Sequence, residues 1–311
     1  MAGSTPASLT AEAAASRAAP QISPARDAWR RFRRHRLAVA SSIVLLAMIL
    51  AVLLGPLLWP LAINDIDFTA RLQGLSATHP LGTDDLGQDV LARMLYGGRI
   101  SLSVGLAAML VSLLVGTLVG AVAGISRGSV DAGLMWLTDL FLSLPQLPLL
   151  LVITYLFRDR LKQLMGAESS VFILLVAVIG GFSWMPVARL VRAQFLSLRE
   201  KEFVEAARAL GASTLRQVMR HILPNSLGPV IVAGTINVAA AIIAESTLSF
   251  LGLGFPPDTP TWGRLLFDAK DYLDIAPHWA LSAGAAIFLT VLAINFIGDG
   301  LRDVLDPRRV M

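Results

Sequence analysis

Residues 37–59 form 23 consecutive positions without one charged side chain. As an α-helix rising 1.5 Å per residue, such a run matches a hydrocarbon layer roughly 30 Å thick. A water-soluble domain of this size would have to bury the whole circumference of that helix. Five further runs, near 100–125, 132–157, 171–188, 227–251 and 279–297, repeat the pattern. Lipid offers no hydrogen bonds to the backbone, so runs of this length must close their own bonds as helices. The expected fold class is an all-α membrane protein with six transmembrane helices. Composition agrees: 55% of the residues are hydrophobic, 15% are charged and mean hydropathy is +0.66.

An even number of spans puts both termini on one side. If that side is the cytoplasm, 18 of the 26 lysines and arginines fall on inner segments, as the positive-inside rule requires. Arg30, Arg31, Arg33, Arg34 and Arg36, just before the first span, are placed to meet anionic lipid headgroups. Residues 1–28, rich in Ala and Ser with Pro6, Pro20 and Pro24, read as a disordered cytoplasmic tail. The first apolar run begins too far from Met1, and is too long, for a secretory signal.

Several chemistries lack their residues. The chain has no cysteine, its four histidines are scattered, and no GxxxxGK[ST] loop occurs to cradle a nucleotide phosphate. No metal, catalytic residue or cofactor bound by this chain is expected, and no nucleic-acid partner. A membrane-embedded enzyme needs a nucleophile, metal or acid–base set, and a secondary transporter needs repeats and ion sites; neither set is evident.

Within the spans, Asp139 and Glu245 are carboxylates where charge is costly, which makes them the candidates for a translocation path. Asn295 is a candidate bridge between helices. Pro145 and Pro148 are expected to bend the third span. Gly116, Gly120 and Gly124 recur every four residues and suit close helix packing. On the outer side, Asp84 and Asp85 are placed to cap a short helix that Gly97 and Gly98 would end.

The inner interval 189–221 reads as two short helices. Phe203, Ala207 and Leu210 form an apolar stripe and Gly211 a stop. Thr214 and Gln217 have capping-box spacing, Leu215, Val218, Met219 and Ile222 follow on one face, and Pro224 is expected to close the helix. Periodicity leaves two readings open, a helix pair lying on lipid or one docking a soluble partner.

Glu205, Ala206, Ala207, Gly211, Ile222, Leu223 and Pro224 together resemble the cytoplasmic loop signature of permease subunits of bacterial ATP-binding cassette importers. The stretch 79–90, the segment 245–254 and Pro260, Thr261, Trp262, Gly263 resemble the second permease of dipeptide and oligopeptide importers. The resemblance covers about 30–308. It implies that 29–311 form an importer-type permease domain with cytoplasmic coupling helices, in the bacterial inner (cytoplasmic) membrane. It further implies a homologous second permease, two ATPase subunits that use the ATP, an extracellular or periplasmic solute-binding protein, and a peptide substrate. Nickel or another chelated metal, glutathione and cationic antimicrobial peptides are the rival substrates within that family.

Overall fold

The computed structural model describes residues 24–126 and 128–305. Among these there is no β-strand, only an isolated antiparallel bridge between Thr83 and Asp89. In chain order the helices are α1 (Pro24–Arg34), α2 (Arg36–Leu58), α3 (Val90–Ile125), α4 (Ser129–Ser143), α5 (Gln146–Met165) and α6 (Ala167–Gly181). They continue as α7 (Met185–Leu198), α8 (Glu202–Ala209), α9 (Thr214–Gln217), α10 (Leu223–Phe250), α11 (Trp262–Ala269) and α12 (Pro277–Leu305). Four pieces are long and apolar enough to cross a membrane: α2, α3, α12, and α10 with the helical turns leading into it. The bent pairs α4–α5 and α6–α7 complete six spans, the number expected.

The boundaries differ from expectation in ways the packing explains. Helix α1 starts at Pro24, inside the stretch expected to be a disordered tail; residues 1–23 lie outside the described residues, as do 306–311. The outer segment yields no separate capped helix. Asp89, not Asp84 or Asp85, is the N-cap of α3, accepting from Ala92 N at 2.7 Å, and α3 runs unbroken through Gly97 and Gly98. Those glycines are contact points: a Cβ on Gly98 would lie 2.5 Å from Val52 Cγ2, and one on Gly97 3.1 Å from the Pro260 carbonyl. Asp84 instead folds its own loop, its carboxylate accepting from Leu86 N and Gln88 N. It also pairs with Arg93 at 3.5 Å. Burial pushes the Asp84 carboxyl above the ordinary carboxylate range, against the pull of Arg93.

At 36 residues, α3 is roughly 54 Å long, more than a bilayer needs, and serves as the central post. The Gly116, Gly120 and Gly124 stripe lies on α7. A Cβ on Gly116 would come within 2.6 Å of Val187 Cβ, and one on Gly124 within 2.5 Å of Phe195 Cβ. The helix-packing reading of these glycines is therefore correct. On the other side α3 meets α10, and α12 packs between α10 and α2. Most of α2 is outward-facing, with Leu46, Leu50, Leu54 and Leu57 exposed and Ala38, Ser41, Val52 and Gly55 turned inward. An all-apolar helix with only a narrow inward face of mostly small residues suits lipid as its solvent.

Candidate translocation cleft and coupling loop

Both bent spans break where backbone bonding fails. Pro145 carries no N–H; α4 ends at Ser143, α5 begins at Gln146, and the two helices meet at 86°. Opposite, α6 stops at Gly181 and α7 resumes at Met185 with a 44° bend. Breaks of this kind leave carbonyls without helical partners, and in a membrane those need protein or a water-lined path. Side chains supply them here. Gln146 Nε2 donates to the Phe182 carbonyl at 3.2 Å. Ser112 Oγ donates to the Ser183 carbonyl at 2.8 Å and accepts from Asn237 Nδ2 at 2.9 Å.

The two breaks and the middle of α10 enclose a cleft of about 390 Å³. Phe141, Leu144, Phe182, Ile243 and Thr247 are among its walls, with Gln146 and Asn237 as the amides. A mainly apolar hollow with a few carboxamide and carbonyl groups suits a solute with a polar backbone and varied side chains. Of these polar groups, the sequence reading singled out none. A lone Gln or Asn inside an apolar run carries no motif, and only the facing of the two breaks gives it meaning.

Neither carboxylate singled out within the spans is among the residues lining this cleft. Asp139 on α4 is more than half exposed and ion-paired with Arg189 of α7 at 2.5 Å. A second pair, Asp131 with Arg192, is bidentate at 2.5 and 2.7 Å and better enclosed. The two pairs tie α4, at positions two turns apart, to neighbouring turns of α7. Glu245 is fully buried where α3, α10 and the 252–261 loop meet. It accepts from Ser249 Oγ at 2.8 Å and Ser101 Oγ at 3.1 Å, with Ser246 Oγ at 3.5 Å and the Thr261 side chain beside it. Ser101 Oγ also accepts from Trp262 N at 3.2 Å, so one carboxylate fastens three segments. Among the described residues Asn295 does not bridge helices; its Nδ2 donates to Val291 O one turn back in α12.

At the opposite end of the bundle lies the loop 199–222. Glu202 and Glu205 occupy the first turn of α8, where carboxylates favour the helix dipole. Gly211, at φ +81°, ends the helix in a Schellman arrangement: Ala212 N donates to Ala207 O at 3.0 Å and Gly211 N to Arg208 O at 2.9 Å. The cap of α9 is Ser213, one residue before the expected Thr214, and accepts from Arg216 N. Gln217 points back to Ala212 O at 2.7 Å. Pro224 does not close the helix. A π-helical turn, Val218–Ile222, runs straight into α10, and Pro224 sits in that helix's first turn, directly after the widened π turn.

Within this loop the apolar residues divide between two faces. Val204, Val218 and Ile222 are buried against Phe195, Val191 and Val230 and root the loop on the bundle. Phe203, Leu210, Leu215 and Met219 face outward, Leu210 being 89% exposed. Glu205 and Ala206 lie on the exposed side, Ala207 and Leu223 are half-buried, and Ile222 is buried. Of the residues quoted for the loop signature, Ile222 is thus anchored in the bundle, while Glu205, Ala206, Gly211 and Pro224 stay exposed.

Residues 116–311 match the model of a family described as binding-protein-dependent transport system inner membrane component. Residues 23–74 match the N-terminal TM domain of oligopeptide transport permease C. The chain is 43% identical over 284 residues to the oligopeptide transport system permease protein OppC of Escherichia coli, covering 91% of this chain and 90% of that protein. It is 38% identical to the dipeptide transport system permease protein DppC of Alkalihalophilus pseudofirmus, over 92% of this chain and 91% of the relative. The glutathione transport system permease protein GsiD of Pectobacterium atrosepticum is also 38% identical, with the same shares covered. Among solved structures, a chain of the inward-facing MetNI methionine ABC transporter aligns with TM-score 0.54 at 18% identity, covering 68% of this chain and 95% of that one. That last likeness is one of fold.

Proposed function

The chain belongs to the family of binding-protein-dependent transport system inner membrane components, and on that footing we propose that it is a permease subunit of an ATP-driven importer of dipeptides or oligopeptides. The single observation that carries the mechanism is the two-faced loop. Its buried residues hang from α7 and α10, the helices that wall the cleft, while Phe203, Leu210, Leu215 and Met219 offer an apolar surface to a separate body. A push on that surface is delivered through packed side chains to the helix breaks around the cleft.

In this reading the loop faces the cytoplasm, both termini lie on the same side, and two ATPase subunits bind and hydrolyse ATP. A homologous permease completes the pore and an external binding protein delivers the peptide. The chain itself breaks no bond and binds no cofactor. Glu205 to Gly211, with Ile222, Leu223 and Pro224, form the coupling element. The cleft is the peptide's path, and Asp139 and Glu245 hold the helices around it in register. Glutathione, itself a tripeptide, is the second substrate reading, supported by the likeness to GsiD.

The test is reconstitution of the purified complex in liposomes. ATP-dependent uptake of a labelled oligopeptide, requiring the ATPases and a loaded binding protein, is the expected result. Uptake by this chain alone, driven by a proton or sodium gradient, overturns the proposal.

A further inference from the structure

A second hollow, larger than the cleft, opens on the outside of the bundle between α2, α3, α10 and α12. Its volume is about 670 Å³. Its walls are apolar, with Leu45, Ile49, Leu106, Val238 and Ile294 among them, and between Leu45 and Leu53 it follows α2 for roughly 12 Å. At the end away from the coupling loop stands Arg99. Pro56 explains why an arginine is there. Without an N–H, Pro56 leaves the Val52 carbonyl of α2 unbonded, and Arg99 Nε donates to that oxygen at 2.9 Å while its Nη2 donates to Leu53 O at 2.7 Å. Two carbonyls orient the guanidinium but do not neutralise it. Among the described residues no carboxylate lies within ion-pair distance of Arg99, so a positive charge stays at the mouth of an apolar groove, beside the last turns of α2.

We propose that this groove is a phospholipid site in the leaflet opposite the coupling loop, with one acyl chain between α2 and α10 and the phosphodiester on the outward edge of the Arg99 guanidinium. The ligand must be amphiphilic because the walls are apolar over their length and charged at one end. An anionic head suits an arginine that has carbonyl partners but no carboxylate, and guanidinium meets phosphate oxygens through a fork of donors. A bound chain would fill the space left between α2, α3 and α10 beside the contacts that α2 makes through Val52 and Gly55. The proposal is independent of what the cleft transports.

The complex carrying this chain is purified in mild detergent, delipidated stepwise, and analysed by native mass spectrometry. Wild type is expected to keep a phospholipid after the annular lipid is gone. R99Q is expected to lower its retention about tenfold, as loss of a charge-assisted hydrogen bond implies. S103F, which fills the groove from α3 and leaves Arg99 intact, is expected to expel the lipid while the complex still elutes as one assembly. Because the chain has no cysteine, a single L106C carrying a photo-reactive label reports the occupant directly. Cross-linking to lipid supports the site. Cross-linking to another protein subunit, or equal lipid retention in wild type, R99Q and S103F, overturns it.

Discussion

At the residue scale, the two carboxylates that stand out in the sequence are held by different means. Glu245 is enclosed by the hydroxyls of Ser101, Ser246, Ser249 and Thr261, so its removal strands buried donors. Glu245→Ala is expected to destabilise the complex by roughly 1–3 kcal/mol for the donors left unpaired, read as a lowered midpoint in thermal unfolding in detergent. Asp139 and Arg189 are both exposed, and such a pair is worth about 0–1 kcal/mol. The Asp131–Arg192 pair is bidentate and less exposed. Asp131→Ala is therefore expected to lower the unfolding midpoint more than Asp139→Ala does, in the same measurement. The sequence marks Asp139 and passes over Asp131, which lies just outside the 132–157 run; only the second hydrogen bond and the lower exposure of the Asp131 pair rank them.

Individual elements are fixed by backbone chemistry at a few positions. Gly211 sits in the left-handed region, where a side chain costs about 1–2 kcal/mol. Space is open around it, so Gly211→Val should leave the bundle folded and disturb only the turn between α8 and α9. The expected outcome is normal assembly with peptide uptake uncoupled from ATP hydrolysis, measured as moles of peptide per mole of ATP. Gly120 is the opposite case: a Cβ there collides with the Ala188 backbone and Val191. Gly120→Leu should separate α3 from α7 and cost more than the 1–3 kcal/mol typical of overpacking, seen as loss of monodisperse complex on size exclusion. The positions of both glycines could be read from the sequence. That Gly97 and Gly98 are contact points rather than a helix stop could not, because it depends on Trp262 and Pro260 arriving from more than 160 residues away.

On the scale of the whole molecule, the arrangement is a bundle with a broken centre and a lever at one end. Single cysteines at Leu210 and at Ile66, both exposed and at opposite ends, should react from opposite sides of the membrane. In inverted vesicles a membrane-impermeant thiol reagent is expected to label L210C and spare I66C; the reverse pattern overturns the orientation proposed for the coupling loop. The number of spans, the helical class and the position of the loop follow from local chemistry, since 20-residue apolar runs and a glycine after an amphipathic stretch mean the same in any context. The loop signature was likewise readable because its residues lie close together in the chain. Where the cleft lies was decided only by the tertiary structure. Gln146, Ser112 and Asn237 acquire a role because two helix breaks, at Pro145 and at 182–184, come to face one another: Gln146 and Ser112 satisfy the Phe182 and Ser183 carbonyls, and Asn237 holds the Ser112 hydroxyl. Lipid fixes which segments are helices through a local rule; which polar groups meet inside the bundle depends on packing between segments distant in the chain.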